Sequence, residues 1–336
     1  VLRSCRELGI TALGIHNDAY RLADKRQGAI LPYIRRFEPV KLSHYTYPTA
    51  ARYHDVFAPE FVAHCDEVAK QQALPFKDDP MLIGYSMSDA PRLTDASVRH
   101  RPPGATTWPR VLRNLGPKAP GKQACVKLLR KRHNDVAVFN KAYGTTFDSW
   151  QVLVDAEAWR PRTDYDNQVE LEDNAAFLRL CIDRYYTVAK AALREVDRNH
   201  LFLGDKLGAR GANFDAVIEA AAPHVDVINY GHYGRLAEQE VVLNRWTDKL
   251  KKPFLSADGS FSVRSEMLPN PMGPAAKDWA ECSAWTRELA AGLFARPDVV
   301  GWNICGVMEV WKTAPGREKK QHQGIMDPFG KFKPGM

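Results

Sequence analysis

Short apolar runs rich in β-branched and aromatic residues alternate with longer amphipathic stretches along most of this 336-residue chain. Such alternation is typical of βα units around a parallel sheet, because each strand needs a crossover that returns the chain to the same end of the sheet. The pattern predicts seven strands, at residues 12–15, 30–34, 81–87, 201–204, 225–230, 254–257 and 299–304.

Amphipathic patterns predict helices between these strands. In the stretch 174–196, apolar residues recur at steps of three and four, as expected for a helix with one face in the core. The other predicted helices cover residues 2–8, 59–72, 123–132, 135–143, 214–222, 238–251 and 278–295. Residues 92–199 are far more than one βα connection needs, so we expect a helical excursion there.

Composition limits the classes of function. A hydrophobic share of 45% and a charged share of 26% are typical of a folded, enzyme-sized protein. No run of about 18 apolar residues occurs, so no membrane partner is predicted. The net charge of +7 is mild. Its basic segment, 110–132, fits a solvated helix face better than a phosphate-binding surface, and no nucleic-acid partner is predicted.

The six cysteines show neither CxxC nor a zinc-type spacing. Their apolar surroundings predict reduced thiols packed as small hydrophobes, which favours the cytoplasm. The chain begins at Val1 without Met, so a secreted or periplasmic protein with a removed signal peptide is the alternative. The sequence does not predict an oligomeric state.

No cofactor motif is present, neither GxGxxG after a strand, nor GxxxxGK[ST], nor GxSxG, so no cofactor is predicted. His44, His54 and His64 recur at ten-residue steps. Metal-ligating pairs on a helix are three or four residues apart, so coincidence explains this spacing better than a metal site does.

Two of the predicted strands deliver a carboxylate into a turn. Residues 79–91 read DPMLIGYSMSDAP, with Asp89 at the strand end, and residues 252–261 read KPFLSADGSF, with Asp258. Strand ends of a parallel barrel meet at one rim, where Asp89 and Asp258 would face one site. Each has an ordinary alternative as a turn residue that caps local amides. Glu309, after the last strand, is a third candidate, with a surface or salt-bridged Glu as its alternative.

These strands together resemble the agarase-like glycoside hydrolases of family 50 and their galactosidase relatives of family 42. The family patterns "DP-x-apolar-apolar-G-Y-x-x-D-N-E" and "KP-apolar-apolar-x-E-F" correspond to Asp79–Ala90 and Lys252–Gly259. Asp89 stands where the family has Asn, and Ala90 where it has the acid/base Glu. Asp258 stands in place of the nucleophile Glu.

The resemblance implies an α/β fold of the TIM (β/α)8 type in one domain, 1–336, with the helical excursion 92–199 inserted between strands four and five, over the barrel mouth. On that count residues 12–15 form strand two, and strand one is expected before Val1. Without it, strands two and eight would expose unpaired backbone, which natural proteins avoid. We therefore expect an amino end that has been trimmed.

The resemblance also implies cleavage of a poly- or oligosaccharide, in particular one containing galactose. Hydrolysis needs one acid to protonate the leaving oxygen and one carboxylate to attack carbon or activate water. Asp89 is expected as acid/base and Asp258 as nucleophile or base, with Glu309 as a substitute for the carboxyl that Ala90 lacks. Because Asp is shorter than Glu, the carboxyls could separate from about 5–5.5 Å toward about 6.5–9.5 Å, so the stereochemistry is not inherited.

Sugar sites need planar apolar faces beside hydrogen-bonding tips, because a pyranose presents C–H groups on its face and hydroxyls at its rim. Aromatic and polar residues after the predicted strands meet that need, although each aromatic residue has the core as its alternative. For Asp205 and Lys206 the alternative is a structural ion pair. The candidate substrate-binding residues are His16, Asn17, Asp18, Asp205, Lys206, Tyr230, His232, Trp302 and Trp311, with Tyr233 in the same aromatic group.

Two other functions remain open. Ala90, where the family has its acid/base residue, suggests a carbohydrate-binding barrel that has lost its catalytic activity. A divalent-metal hydrolase or lyase would instead use Asp89, Asp258 and Asp205 as oxygen ligands.

Overall fold

A computed structural model of the protein describes residues 9–14, 31–43, 47–208, 212–266, 268–270, 273–305, 308–309 and 324–333. Seven parallel strands form one sheet in the order β1-β2-β3-β4-β5-β6-β9. They are β1 (Leu13–Gly14), β2 (Tyr33–Arg36), β3 (Leu82–Asp89), β4 (Leu201–Gly208), β5 (Ile228–Gly231), β6 (Phe254–Ala257) and β9 (Val299–Asn303). The short strands β7 (Ser262–Val263) and β8 (Ala275–Ala276) form a separate pair. The seven predicted strands correspond to the seven strands of this sheet, but β4 extends four residues beyond its predicted end, and β7 and β8 were not predicted.

One hydrogen bond and one short distance between strands show that the sheet curls. Asn229 Nδ2 on β5 donates to Ser86 Oγ on β3 at 3.2 Å, reaching across the intervening strand β4. At the outer strands, a Cβ built on Gly14 of β1 would lie 4.0 Å from Nδ2 of Asn303 at the end of β9. The sheet therefore forms a curled half-barrel with a concave inner face. Within the described residues no ladder joins β1 to β9, and closure by a further strand stays a prediction.

Helices connect the strands and cover the outside of the sheet. The predicted helices are confirmed with small shifts of their ends, except for the one at 2–8, which lies outside the described residues. Three short helices, α2, α3 and α6, were not predicted. The helices are α1 (Pro59–Gln72), α2 (Asp95–Val98), α3 (Trp108–Leu112), α4 (Pro120–His133), α5 (Val136–Tyr143), α6 (Trp150–Asp155), α7 (Gln168–Val196), α8 (Ala212–Ala221), α9 (Leu236–Leu250) and α10 (Trp279–Phe294).

Helix α7 is the longest, with 29 residues. Asn167 caps its amino end, because the side-chain oxygen of Asn167 accepts from the N–H of Glu170 at 3.1 Å. The predicted apolar face is buried, including Phe177, Ile182 and Tyr185, and it packs against α1 and α8. None of the helices in the described part of the chain is both long and apolar enough for a bilayer span.

The excursion at 92–199 has a polar core of its own. Arg113, which is 2% exposed, forms an ion pair with Glu170, which is 0% exposed, at 2.8 Å. The buried ammonium of Lys122 donates to the carbonyls of Arg113 and Ala156 at 2.7 and 2.8 Å. A buried charge is tolerated only when its hydrogen bonds are satisfied, and these contacts tie α3, α4 and α7 together. The position of the excursion over the barrel mouth and its place within a single domain stay predictions.

A second polar cluster locks the amino ends of β3 and β4. Asp197 accepts from the hydroxyl of Tyr85 on β3 at 2.8 Å, and its Oδ2 lies 2.7 Å from Nδ1 of His200, just before β4. The other ring nitrogen of His200 lies 3.0 Å from the carbonyl oxygen of Asp79. These contacts fix how β3 and β4 lie side by side, and with it the level at which both strands end.

Candidate active site

Charged side chains from three strands meet at the carboxyl end of the half-barrel. Asp89 is the last residue of β3, Lys206 lies on β4, and Asp258 directly follows β6. Lys206 Nζ is 2.6 Å from Asp89 Oδ1 and also donates to Asp258 Oδ2. The three side chains are 17%, 14% and 13% exposed, in the same order. The two aspartates thus converge on one ammonium group, while their catalytic roles stay predictions.

The backbone directs these side chains. Asp89 and Lys206 are register partners, and the N–H of Ala90 donates to the carbonyl of Lys206 at 2.8 Å. Ala90 has a φ of 44° and Asp258 a φ of 65°, a left-handed conformation that is uncommon for residues with a Cβ and recurs at functional sites. Gly231, at the end of β5, lies beside the same side chains. A Cβ there would be 3.3 Å from Asp258 Oδ2 and 3.8 Å from Lys206 Cδ.

The charge of Lys206 is set by opposing effects. Burial alone would lower the pKa of the ammonium, but the carboxylates of Asp258 and Asp89 together raise it above the ordinary value for lysine. Lys206 therefore keeps its proton at neutral pH. Two hydrogen bonds of ordinary length to one nitrogen hold their acceptor oxygens within about 6 Å of each other.

Cys305 and Tyr233 line the same end of the sheet. The thiol of Cys305, which follows β9, hydrogen-bonds to Asp258 and to Tyr233, and burial and then the charge of Asp258 raise its pKa to about 11. The thiol is therefore protonated and serves as a donor to the carboxylate. The sequence did not single out Cys305, because most of the six cysteines lie in apolar stretches where a thiol packs as a small hydrophobe. The usable signal was its position after a barrel strand.

Asp205 and Lys206 lie within β4, which continues to Gly208, and not after it as predicted. Side chains alternate between the two faces of a strand, so the two residues point in opposite directions. Asp205 is 2% exposed and accepts from the N–H of Ser88 and the hydroxyl of Tyr186, both at 2.8 Å. Burial raises its pKa to about 7 despite those hydrogen bonds. Asp205 and Lys206 do not pair with each other, because Asp205 accepts from Ser88 and Tyr186, whereas the ion pairs of Lys206 are with Asp89 and Asp258.

Asp205 points away from Asp89 and Asp258. The structure therefore gives no support to a metal site built on all three acids. In the described part of the chain, no group of three or more His, Cys, Asp or Glu could hold a metal ion. His54 and His64 stack with ring centroids 4.8 Å apart, and His64 Nε2 lies 2.8 Å from the carbonyl oxygen of Pro39.

Tyr230 lies on the helix side of the sheet. Its ring is 0% exposed and its hydroxyl donates to Oε1 of Gln239 on α9 at 2.8 Å. Its neighbour Asn229 points to the inner face. This location corresponds to the core alternative for Tyr230. The carbonyl of His232 accepts from Nε2 of the same Gln239 at 2.9 Å, and His232 itself is 8% exposed.

Trp302, on β9, contacts the turn that follows β6. Its Nε1 donates to the carbonyl of Gly259 at 3.2 Å, and a Cβ built on Gly259 would come within 2.4 Å of that nitrogen. The glycine therefore permits a close approach between the indole ring and the turn that carries Asp258. Among the predicted aromatic residues, Trp302 contacts the backbone of Gly259, the residue that follows Asp258.

Glu309 is 5% exposed and forms an ion pair with Lys333 at 2.6 Å. Its N–H donates to the carbonyl of Met326 at 2.8 Å. This environment corresponds to the salt-bridged alternative for Glu309, and its role as a third acid stays a prediction. His16, Asn17, Asp18 and Trp311 lie outside the described residues.

The fold and the rim of charged residues define a barrel-type α/β protein with its charged side chains at the carboxyl ends of the strands. No protein-family profile matches the chain. In sequence it is 26% identical over 184 residues to Beta-agarase B of Vibrio sp. (strain JT0107), a match that covers 54% of this chain and 18% of the agarase.

Solved structures share the fold of this chain. The chain superimposes on an exo-beta-agarase with a TM-score of 0.73 and 20% identity, over 98% of this chain and 46% of that one. A beta-galactosidase from the psychrophilic Marinomonas ef1 gives a TM-score of 0.64 and 11% identity, over 99% and 55% of the two chains. The chain thus has an agarase-like fold and spans about half the length of these structures.

Proposed function

We propose that the protein is a glycoside hydrolase that acts on a galactose-containing poly- or oligosaccharide, with Asp89 and Asp258 as its pair of carboxylates. The observation that carries the proposal is their convergence on Lys206 at the carboxyl ends of β3, β4 and β6. Barrel enzymes place their catalytic groups at this end of the strands. The likeness to agarases and galactosidases supports the class of substrate.

Asp258 is the proposed nucleophile. The shared ammonium keeps the two accepting oxygens within about 6 Å, nearer to the roughly 5–5.5 Å of retaining enzymes than to the roughly 6.5–9.5 Å that admits a water between the carboxyls of inverting ones. Attack by Asp258 would form a covalent glycosyl ester, which water then hydrolyses. Asp89 is the second carboxylate. A sugar platform at Trp302 stays a prediction, because Trp302 is the register partner of Ser256, whose hydroxyl contacts Gln239 on the helix side of the sheet.

The test is hydrolysis of agarose-derived and other galactose-containing oligosaccharides by the unmodified protein and by Asp89→Asn and Asp258→Asn. Each substitution removes a carboxylate at nearly constant volume and should lower kcat/KM at least about a hundredfold. Asp215→Asn is the control, because Asp215 pairs with Arg245 away from the proposed site. Absence of product from every such sugar, or full activity of Asp258→Asn, contradicts the proposal.

A second candidate is a sugar-binding protein without turnover. It is favoured by the ammonium of Lys206 between the carboxylates and by the methyl side chain of Ala90 at the strand end. Titration calorimetry with the same oligosaccharides, run beside a sensitive product assay, separates the two functions. Binding without product identifies the sugar-binding protein, and product formation identifies the hydrolase.

A further inference from the structure

Glycosidic cleavage requires a group that donates a proton to the leaving oxygen. In the described cluster both carboxylates share one donor, the ammonium of Lys206, and Asp258 also accepts from the thiol of Cys305. Ala90, at the end of β3, carries no transferable proton. We propose that Lys206 is the proton donor of this site and gives its ammonium proton to the leaving oxygen while Asp258 attacks the sugar. This inference rests on the proposed function and adds to it the residue that carries the proton.

The location of Lys206 fits this role. Its nitrogen lies in the space between the two carboxylates, 2.6 Å from Asp89 Oδ1, and a hydrolase holds the scissile bond in that same space. The side chain is only 14% exposed, so bulk water competes little with a bound sugar for its proton. The lysine stem passes Gly231, where an added Cβ would lie 3.8 Å from Lys206 Cδ.

The charges of the cluster would change in step with the reaction. In the resting site two carboxylates raise the pKa of Lys206 and hold its proton. When Asp258 forms an ester, its negative charge disappears, and one of the two charges that favour the ammonium is lost. The pKa of Lys206 therefore falls at the moment when the leaving oxygen needs a proton.

The two steps balance in atoms and electrons. First, a carboxylate oxygen of Asp258 bonds to the anomeric carbon, the glycosidic C–O bond breaks, and its electron pair stays on the leaving oxygen, which takes the proton of Lys206. Next, water attacks the anomeric carbon and gives a proton to the neutral amine of Lys206. The ester bond breaks, and its electron pair restores the carboxylate of Asp258. One water is consumed and no other reagent is needed.

The experiment compares two galactosides. A dinitrophenyl galactoside has a leaving group that departs without protonation, whereas a galactose-containing disaccharide or agaro-oligosaccharide has one that needs a proton. Lys206→Met should lose at least about a hundredfold in kcat/KM on the oligosaccharide and less than about tenfold on the dinitrophenyl substrate. Lys249→Met is the matched control. Lys249 is an exposed lysine of α9 that pairs with Glu219 on α8, so its substitution should change neither rate.

Asp89→Asn separates Lys206 from Asp89 as the donor, because a loss confined to the oligosaccharide in that variant would assign the proton to Asp89. Equal losses on both substrates in Lys206→Met would make Lys206 a positioning residue only. Either result overturns the proposal while the hydrolase function stands. If the unmodified protein cleaves neither substrate, the hydrolase function fails, and the role of Lys206 fails with it. Should Lys206→Met not fold by circular dichroism, Lys206→Gln carries the same comparison, because its amide donates hydrogen bonds but has no proton to transfer.

Discussion

Asp89 and Lys206 face each other as register partners on neighbouring parallel strands, and 2.6 Å separates Oδ1 of the one from Nζ of the other. The main chain continues the pairing by one more residue, through the hydrogen bond from the N–H of Ala90 to the carbonyl of Lys206 at 2.8 Å. Asp258 reaches the same ammonium from the end of β6. The candidate site is therefore set by strand register, which a rigid sheet maintains.

The spacing of the carboxylates predicts the stereochemistry of hydrolysis. With acceptor oxygens within about 6 Å of each other, we expect the product to be released first with the anomeric configuration of the substrate. Proton NMR of the anomeric signals in the first minutes of the reaction, before mutarotation, measures this. Initial release of the opposite anomer would show that a water molecule separates the carboxyls during catalysis.

Gly84 on β3 should not tolerate a side chain. A Cβ there would lie 2.3 Å from the carbonyl oxygen of Leu201, which belongs to the backbone of β4 and cannot move aside. Gly84→Ala should therefore lower the free energy of unfolding by about 3 kcal/mol, as overpacking in a sheet does. Urea unfolding followed by circular dichroism measures the change.

Gly208→Ala is the matched control for that substitution. It lies at the end of β4, and a Cβ there would meet nothing within 4 Å. We expect unchanged stability or a gain of up to about 1 kcal/mol, because alanine loses less backbone entropy on folding than glycine. Equal destabilisation in both variants would mean that β3 and β4 are not packed as described.

Asp205 should make stability depend on pH. Burial raises its pKa to about 7, from the ordinary value of 3.8 that the unfolded chain would show. Between those values the folded state binds more protons than the unfolded state, so the contribution is fully present below about pH 4 and is lost as the pH rises to about 7. The loss amounts to at most about 4 kcal/mol.

Asp205→Asn cannot titrate, so its free energy of unfolding should change less between pH 5 and pH 8 than that of the unmodified protein. Urea titrations at the two pH values provide the measurement. Asp215→Asn, which alters a partly exposed acid of α8, should keep the original pH dependence. A variant at position 205 with the full original slope would assign the titration to another group.

Gly259→Ala should displace the indole of Trp302. The new Cβ would come within 2.4 Å of Nε1, and the hydrogen bond from Nε1 to the carbonyl of Gly259 would be lost. We expect a cost of about 1–3 kcal/mol in stability and, if Trp302 is a sugar platform, weaker binding of oligosaccharides by about tenfold. Tryptophan fluorescence and calorimetry report the two effects, with Gly208→Ala as control. Unchanged sugar affinity together with a shifted tryptophan spectrum would remove Trp302 from the binding site.

The strands of the sheet could be predicted because their apolar, β-branched runs are bounded by turn residues. The end of β4 could not. The glycine at position 204 predicts a strand end, and its φ of 64° is unusual for a strand. The strand nevertheless continues through Asp205 and Lys206 to Gly208. Asp and Lys are uncommon in strands, and only tertiary partners such as Tyr186 keep them there.

Asp89, Asp258, Lys206 and Tyr233 could be named as candidates from the sequence, but the contacts between them could not. Strand ends at Asp89 and Asp258 follow from the local sequence, because a carboxylate that ends an apolar run is visible in one dimension. The bridging role of Lys206 and the contact of Cys305 with Asp258 depend on the register between strands that are distant in sequence. No local pattern carries that information.

The left-handed backbone at Ala90 and Asp258 has a consequence for engineering. Each such residue lowers the free energy of unfolding by about 1–2 kcal/mol relative to an unstrained backbone. The conformation of these two strand ends therefore lowers the thermal stability of the protein. Glycine adopts this conformation without the cost. A directed-evolution campaign for thermal tolerance should therefore select Ala90→Gly early, whereas Asp258, the proposed nucleophile, should stay unchanged under a simultaneous selection for sugar hydrolysis.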